Sequence, residues 1–343
     1  MSILFERRIF PKAYIWGMVC IILLVAYFII KGAVIFTHLM QKSGLTPVTL
    51  IRLITNDGVP LKSTNGKTNV LLLGIGGGKH AGSDLTDTMI VLSLSGKDRT
   101  AALISIPRDI WSDTLKDKVN SAYHYGEMKK KGGGMILARA VVEDIVGLPM
   151  HYVLVVDFTG FKNIIDILGG VDVHVSRGFT DTEFPIPGKE NDTCPGDPTN
   201  KCLYQTVHFD AGVQHMDGDR ALIYVRSRHA EGEEGSDFAR GRRQQEILLA
   251  IKDKIMHPFG WLNFRRVSQI AAVMTDATDT DMNIGEAATV MKRYAGIDEK
   301  NVTKIAFNDL LTEGPPFLYK GLYVLLPIHD LQEIQTYITS QLK

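Results

Sequence analysis

Apolar positions along this chain come in short continuous runs, separated by polar or glycine-rich breaks. Residues 69–73 (NVLLL), 88–94 and 100–106 are such runs, as expected of strands buried on both faces. The second and third are joined by SGKDR, which predicts a hairpin. A helical period follows over residues 133–146, closed by Gly147 and Pro149. Residues 151–156 read as a strand, 158–168 as a helix stopped by Gly169 and Gly170, and 171–175 as a strand. Residues 179–210 read as a long loop or hairpin insertion. Residues 218–225 lead from a helical turn into a strand that continues through YVRSRH. A helix is predicted from Asp237 onward, then helices over 261–274 and 283–294, strands over 302–307 and 322–326, and a closing helix over 328–342. Strands alternating with helices predict a mixed α/β layered domain.

The amino-terminal pattern differs. Arg7, Arg8 and Lys12 precede residues 13–30, which carry no charge, and apolar residues resume after Lys31. Roughly 20 apolar residues make a membrane-spanning helix, and no small-x-small cleavage site is evident. Residues 13–38 are therefore expected to be an uncleaved anchor, with residues 1–12 as a cytoplasmic tail by the positive-inside rule. A stalk is expected over 39–68 and a domain outside the cytoplasm beyond it. In that compartment Cys194 and Cys202 could form a small disulfide loop.

Composition narrows the function. The 343 residues carry zero formal net charge, so bulk electrostatics give no sign of nucleic-acid binding. The glycine-rich stretch 74–87, GIGGGKHAGSDLTD, lacks both the P-loop and the dinucleotide spacing. His208, His215 and His229 show no metal-ligand spacing.

The candidate chemistry centres on residues 224–245. In an extended strand Arg226 and Arg228 would share a face. Asp237, Arg240 and Gln244 share one face of a helix, with Arg243 beside it. Arginine forks suit phosphate or pyrophosphate. The alternatives are a solvated charged face or a structural Arg–Asp pair. Pro107, Arg108 and Asp109 end a buried strand, where α/β sheets place ligand chemistry. Asp84 and Asp87 could hold a hard divalent cation against a phosphate, or serve only solubility and capping.

The order NVLLLGI, DLTDTMIV, ALISIPRDIW, KVNSAYHYGE, HYVLVVDFTGFKNIIDILGGVDV, MDGDRALIYVRSRH and DFARGRRQQ resembles the LytR–CpsA–Psr family of cell-wall assembly enzymes. The resemblance runs from about Asn69 to Ile255 and includes the anchor. It implies a three-layer α/β/α fold with a mixed central sheet and an apolar channel, spanning 69–258 and completed by an α/β part over 259–343. It implies an extracytoplasmic phosphotransferase that moves a glycopolymer from a polyprenyl-pyrophosphate carrier to a peptidoglycan hydroxyl, with Mg²⁺ (or Mn²⁺) as cofactor. Asp87 matches a family metal ligand. Arg108, Arg226, Arg228, Arg240 and Gln244 match pyrophosphate-binding positions, with Lys118 and Arg243 added to that set. Asp237 matches the acid of the DFxR signature, which could orient an arginine or assist the acceptor. The family's aspartate just after the first strand is absent here, where Gly74-Ile75-Gly76 stands. Asp84 is expected to take its place. A hydrolase of the same lipid and a non-catalytic glycan- or lipid-binding module are the competing readings.

Overall fold

Alternate residues of the first strand are buried in different cores. Leu71 and Leu73 join one apolar cluster, while Val70 joins another, with Leu72 packed against it. A strand with both faces covered needs helices on both sides of its sheet. The computed structural model describes residues 58–342 except 79–81, 187, 190–191 and most of 257–277, together with a few isolated positions nearer the amino terminus.

In chain order the principal elements are β1 (Lys67–Ile75), β2 (Thr86–Ser95), β3 (Thr100–Ser105), β4 (Trp111–Ser112), β5 (Asp117–Lys118), α1 (Ala122–Lys129), α2 (Gly133–Val146), β6 (Tyr152–Asp157), α3 (Phe158–Leu168) and β7 (Val171–Val175). They continue with β8 (Phe179–Pro185), β9 (Tyr204–Phe209), β10 (Gly212–Met216), α4 (Gly218–Arg226), α5 (Asp237–Met256), β11 (Thr278–Thr280), α6 (Ile284–Ala295), β12 (Val302–Ile305), β13 (Leu311–Glu313), β14 (Leu325–Pro327) and α7 (Leu331–Gln341). The main sheet has six strands in the order β11-β6-β1-β2-β3-β12. It is mixed: β1 pairs parallel with β6, β3 parallel with β12, and β2 antiparallel with both β1 and β3.

One face of the sheet packs against α1, α2 and α7, through Tyr123, Val142, Ile145, Ile334 and Ile338. The other packs against α5 and α6, through Leu249, Val290 and Tyr294. The region after residue 259 thus supplies both edge strands, β11 and β12, and helices to the same sheet. A third cluster joins α3, β7, the β8–β9 hairpin and α4 to α5.

Three expectations change. Residues 58–68, placed in the stalk, are tied to the domain: the Val59 N–H donates to Thr289 Oγ1 and the Lys62 N–H to the Tyr152 hydroxyl, each at 2.9 Å. The strand expected over 322–326 is confined to β14. The largest correction is YVRSRH. Residues 218–226 form a helix, capped by the Asp217 carboxylate, which accepts from the Arg220 N–H at 2.8 Å. Its run ALIYV is short and apolar, a pattern that reads equally as strand or helix, and burial of Ala221, Tyr224 and Val225 on one side decides it.

Among the described residues no helix is long and apolar enough to cross a membrane. The anchor expected over 13–38 lies almost wholly outside those residues, as does the helix expected over 261–274. Cys194 and Cys202 are joined by a disulfide, their Cα atoms 5.7 Å apart. That bond consumes the sulfurs of the one three-ligand grouping among the described residues, Asp192 with these two cysteines.

Candidate active site

β1, β3, β6 and β12 run parallel to one another, so their carboxyl ends meet at one edge of the sheet. The glycine loop follows β1, Arg108 follows β3, and Phe158 follows β6. Because β2 runs the other way, Asp87 starts it at the same edge. Such an edge is where open α/β sheets bind ligands.

Arg108 is the hub. Its Nη1 pairs with Asp87, and its Nε lies 3.4 Å from carboxylate oxygens of both Asp109 and Asp237. Asp237 sits at the start of α5 and also accepts from Arg240 Nη1 at 2.9 Å, one helical turn on. Arg228 Nε is 3.6 Å from the same oxygen of Asp237. Lys118 Nζ holds Asp109 at 2.6 Å. Four cations therefore face three carboxylates, leaving a surplus of one positive charge in a partly buried place.

Burial shapes the charges. It is the largest influence on Arg240 and lowers its guanidinium to about 10, against the pull of Asp237. Burial also raises the Asp109 carboxyl, and its contact with Asp237 raises it further. The same burial pushes Asp237 upward. Its hydrogen bond with Asp109 and the guanidiniums of Arg240, Arg108 and Arg228 outweigh that push and hold it at about 2. Of two touching carboxyls, only one ionises readily. Here Asp109 keeps the proton longer.

A lowered folded-state value stabilises the protein above the unfolded value and ceases to do so as pH falls through the folded one. Asp237 ordinarily titrates at 3.8. Wild-type protein is therefore expected to lose melting temperature between about pH 4 and about pH 2, and Asp237→Asn to lose less across that window. Asp109 works in the opposite sense, its contribution fading as pH rises through its raised value. Thermal melts from about pH 5 to about pH 2 check this, and identical acid limbs for the two proteins would refute it.

The remaining expected site residues are dispersed. Arg226 ends α4 and lays its guanidinium over the Phe158 ring at 4.4 Å and the Phe184 ring at 5.7 Å. It does not share a strand face with Arg228, because the helix turns it toward the end of β6. Arg243 leaves the ligand set. It is 1% exposed and donates to the carbonyls of Tyr224, Ser227 and Glu234 and to the Glu234 carboxylate. A guanidinium committed to four internal acceptors holds up the Arg226–Arg228 segment and does not reach substrate. Gln244 is 8% exposed on α5, and its neighbour Gln245 ties that helix to β3 through the Leu103 carbonyl and Ser105. Asp84 turns to His124, whose Nδ1 lies 2.7 Å from its Oδ2.

Some contributors carried no signal in the sequence. Asp181 of β8 is fully buried and accepts from the backbone N–H groups of Arg228 and His229 at 3.0 and 3.2 Å, fixing where Arg228 points. His124 became visible as a partner only once α1 packed beside the loop before β2. Gly77 has φ +71°, and a Cβ there would lie 2.9 Å from Asp157 Cβ. At this position glycine serves a close internal approach to the α3 cap.

The donor set for a divalent ion is hard oxygen only. Asp87 is 43% exposed beside the arginines. Neither Asp84 nor Asp87 belongs to a grouping of three protein ligands among the described residues. A site of this kind fits Mg²⁺ completed by substrate phosphates, with one or two carboxylates.

Comparison with known proteins gives a consistent result. The chain is 28% identical to the Bacillus subtilis polyisoprenyl-teichoic acid–peptidoglycan teichoic acid transferase TagV over 227 residues, covering 64% of this chain and 51% of that one. It is 31% identical to Bacillus mycoides TagU over 192 residues, 54% of this chain and 52% of that one. With Oceanobacillus iheyensis TagU the identity is 24% over 336 residues, 94% of this chain and 92% of the relative. The chain thus spans about half the length of the first of these curated relatives, and nearly all of the last. The crystal structure of B. subtilis TagV superposes with a TM-score of 0.57 at 25% identity, over 82% of this chain and 98% of that one. That of TagT bound to LI-WTA shares the fold, with a TM-score of 0.56 at 24% identity, over 82% and 94% of the two chains. The LytR_cpsA_psr family model matches residues 40–335, and the chain belongs to that family.

Proposed function

We propose that this chain is a cell-envelope phosphotransferase that moves a glycopolymer from a polyprenyl-pyrophosphate carrier to a peptidoglycan hydroxyl. The observation that carries the reading is the convergence of Arg108, Arg228 and Arg240 on Asp237, with Asp87 beside them, at the carboxyl edge of the sheet. The names of the relatives, teichoic acid transferases, support it.

The acceptor hydroxyl oxygen forms a new bond to the glycan-side phosphorus. The bond from that phosphorus to the bridging oxygen breaks, polyprenyl phosphate leaves, and the hydroxyl proton passes to a base. Phosphoryl transfer depends mostly on positioning and charge stabilisation. Arg108, Arg228 and Arg240 supply fixed donors for charge developing on the leaving phosphate. Asp237 orients all three and, being held low, is a poor base. Asp109 has the raised carboxyl and is the better proton acceptor of the pair. Mg²⁺ (or Mn²⁺) bound at Asp87, with Asp84 as the second candidate, would supply further charge neutralisation.

Anchoring through residues 13–38 with a cytoplasmic amino terminus belongs to the same proposal. The basic residues before that apolar run support it, and so does the Cys194–Cys202 disulfide, a bond typical of oxidising compartments outside the cytoplasm. A channel for the polyprenyl tail is also part of it. Of residues 248–255, Leu249, Ala250 and Ile255 serve the cores, with Leu248 and Ile251 packed partly buried against them.

The test incubates the chain with a polyprenyl-pyrophosphate-linked sugar and a peptidoglycan oligosaccharide, with Mg²⁺ or EDTA. A phosphodiester-linked product is expected. EDTA should abolish it, and Asp87→Asn should lower its rate on the order of 10²-fold or more. Free phosphosugar with no linked product would replace transfer with hydrolysis. Lipid binding without any product would leave only a binding module.

A further inference from the structure

β12 ends at the same sheet edge as the arginine cluster, and the chain beyond it returns to that cluster. The turn between β13 and β14 carries Pro315, Pro316, Phe317, Leu318, Tyr319 and Lys320. The β13–β14 unit is tied to the chain around β4 and β5 at two points. The Leu325 N–H donates to the Asp109 carbonyl at 2.9 Å, and Lys320 Nζ donates to the Lys116 carbonyl at 3.1 Å. Across that seam the Tyr319 ring meets Trp111 edge to face, with centroids 4.8 Å apart at 70°. Trp111 pairs in register with Lys118, whose ammonium holds Asp109. The aromatic pair therefore adjoins the charged cluster directly. Tyr323, four residues after Tyr319 in the same connection, has 48% of its surface exposed and its hydroxyl donates to Glu313 at 3.3 Å. Burial first, then Glu313, and then Asp109 and Asp237 push that hydroxyl upward. Phe317 and Leu318, 82% and 65% exposed, extend the apolar surface outward.

An apolar surface of half-buried rings, Trp111 and Tyr319, continued by the exposed Phe317, Leu318 and Tyr323 beside a candidate reaction site, marks a ligand or an interface. The character of this one selects the ligand. Its rings carry polar edges: two phenol hydroxyls, and an indole N–H that donates to Asp113 at 3.3 Å. A sugar ring has the matching form, with an apolar C–H face and a rim of hydroxyls. An anionic membrane surface is a poor match, because residues 308–330 hold Asp309, Glu313 and Asp330 against a single Lys320.

We propose that Trp111, Tyr319 and Tyr323 form a saccharide subsite that holds the acceptor glycan beside the phosphate-binding arginines. The assignment to the acceptor rests on the transferase reading. Saccharide binding itself does not depend on it and can be measured without the lipid donor.

The experiment titrates the full chain in detergent with a peptidoglycan-derived oligosaccharide by calorimetry, and separately with inorganic pyrophosphate. Tyr319→Ala and Tyr323→Ala are expected to weaken saccharide binding about tenfold and to leave pyrophosphate binding unchanged. Trp111→Phe keeps an aromatic face and should retain most of the affinity. In the transfer assay the alanine variants should raise the KM for acceptor with kcat nearly held. Both tyrosines are partly exposed, so circular dichroism should show folded variants. Wild-type protein that binds pyrophosphate but no saccharide would remove the subsite and leave the transferase reading standing. Equal saccharide affinity in wild type and both alanine variants would also remove it. Saccharide binding lost in the variants, with no transfer under any condition, would uphold the subsite and sink the transferase reading. Sedimentation with anionic vesicles, lost in Phe317→Ala/Leu318→Ala while saccharide fails to bind, would assign the patch to the membrane instead.

Discussion

Arg108→Lys is expected to lower transfer about 10²- to 10³-fold while the protein stays folded. The substitution keeps the charge and removes the fork. Arg108 reaches Asp87 through one guanidinium nitrogen, and Asp109 and Asp237 through another. An ammonium is a single point charge that cannot hold this planar set of partners and offer paired donors to phosphate as well. Removal of one preorganised donor from a phosphoryl-transfer site costs a few kcal/mol in the transition state. Alanine would be a poorer probe, because it would leave three carboxylates together with fewer cations and cost stability as well. The decisive measurement is kcat/KM for transfer, paired with a melting curve. Retained kcat/KM would move the phosphate site away from Arg108. Lost turnover with a melting temperature many degrees lower would return Arg108 to a structural role.

Arg243→Ala is expected to show the opposite pattern, with the damage falling on stability. The guanidinium is 1% exposed, lies over the Phe179 ring at 4.6 Å, and satisfies three backbone carbonyls and the Glu234 carboxylate. Deletion leaves Glu234 buried without this partner and strands the carbonyls. Breaking a buried ion pair from one side costs about 3–5 kcal/mol. For a domain of this size that lowers the melting temperature on the order of 10 °C. Activity would fall too, but through the Arg226–Arg228 segment that Arg243 supports. At a temperature where the variant remains folded, the loss should be much smaller than for Arg108→Lys. A variant that melts like wild type but no longer binds pyrophosphate would put Arg243 back among the ligand residues.

These two arginines show how far a sequence reading reaches. Both stand in charged stretches, and spacing alone offers both to phosphate. What separates them is the surroundings. Arg108 leaves the end of β3 at the carboxyl edge of the sheet and meets three carboxylates there, beside the half-exposed Asp87 and Arg228. Arg243 sits on the side of α5 that faces the end of α4 and the loop between α4 and α5, where the carbonyls of Tyr224, Ser227 and Glu234 accept from it. No pattern of residue types encodes that difference, because it depends on which elements pack together.

The sequence by itself determined the continuous apolar strands, the helices at 133–146 and 158–168, the mixed α/β class and the motif order of the family. Those features rest on local signals: apolar periodicity, glycine stops and residue types at fixed spacing. It also singled out Arg108, Asp87, Arg240 and Asp237, which the fold brings into one cluster, since charge at the end of a buried strand or on one helix face is visible in one dimension. Only the tertiary structure decided that YVRSRH leaves a helix, that Arg226 and Arg228 part company, and that Asp181 and Arg243 hold the segment between them. It alone brought the turn after β13 beside Trp111. A short apolar run such as ALIYV reads the same in helix and strand, and its neighbours decide which surface it can bury. The destination of a long charged side chain depends on partners far away in sequence, so it is fixed only when those partners arrive.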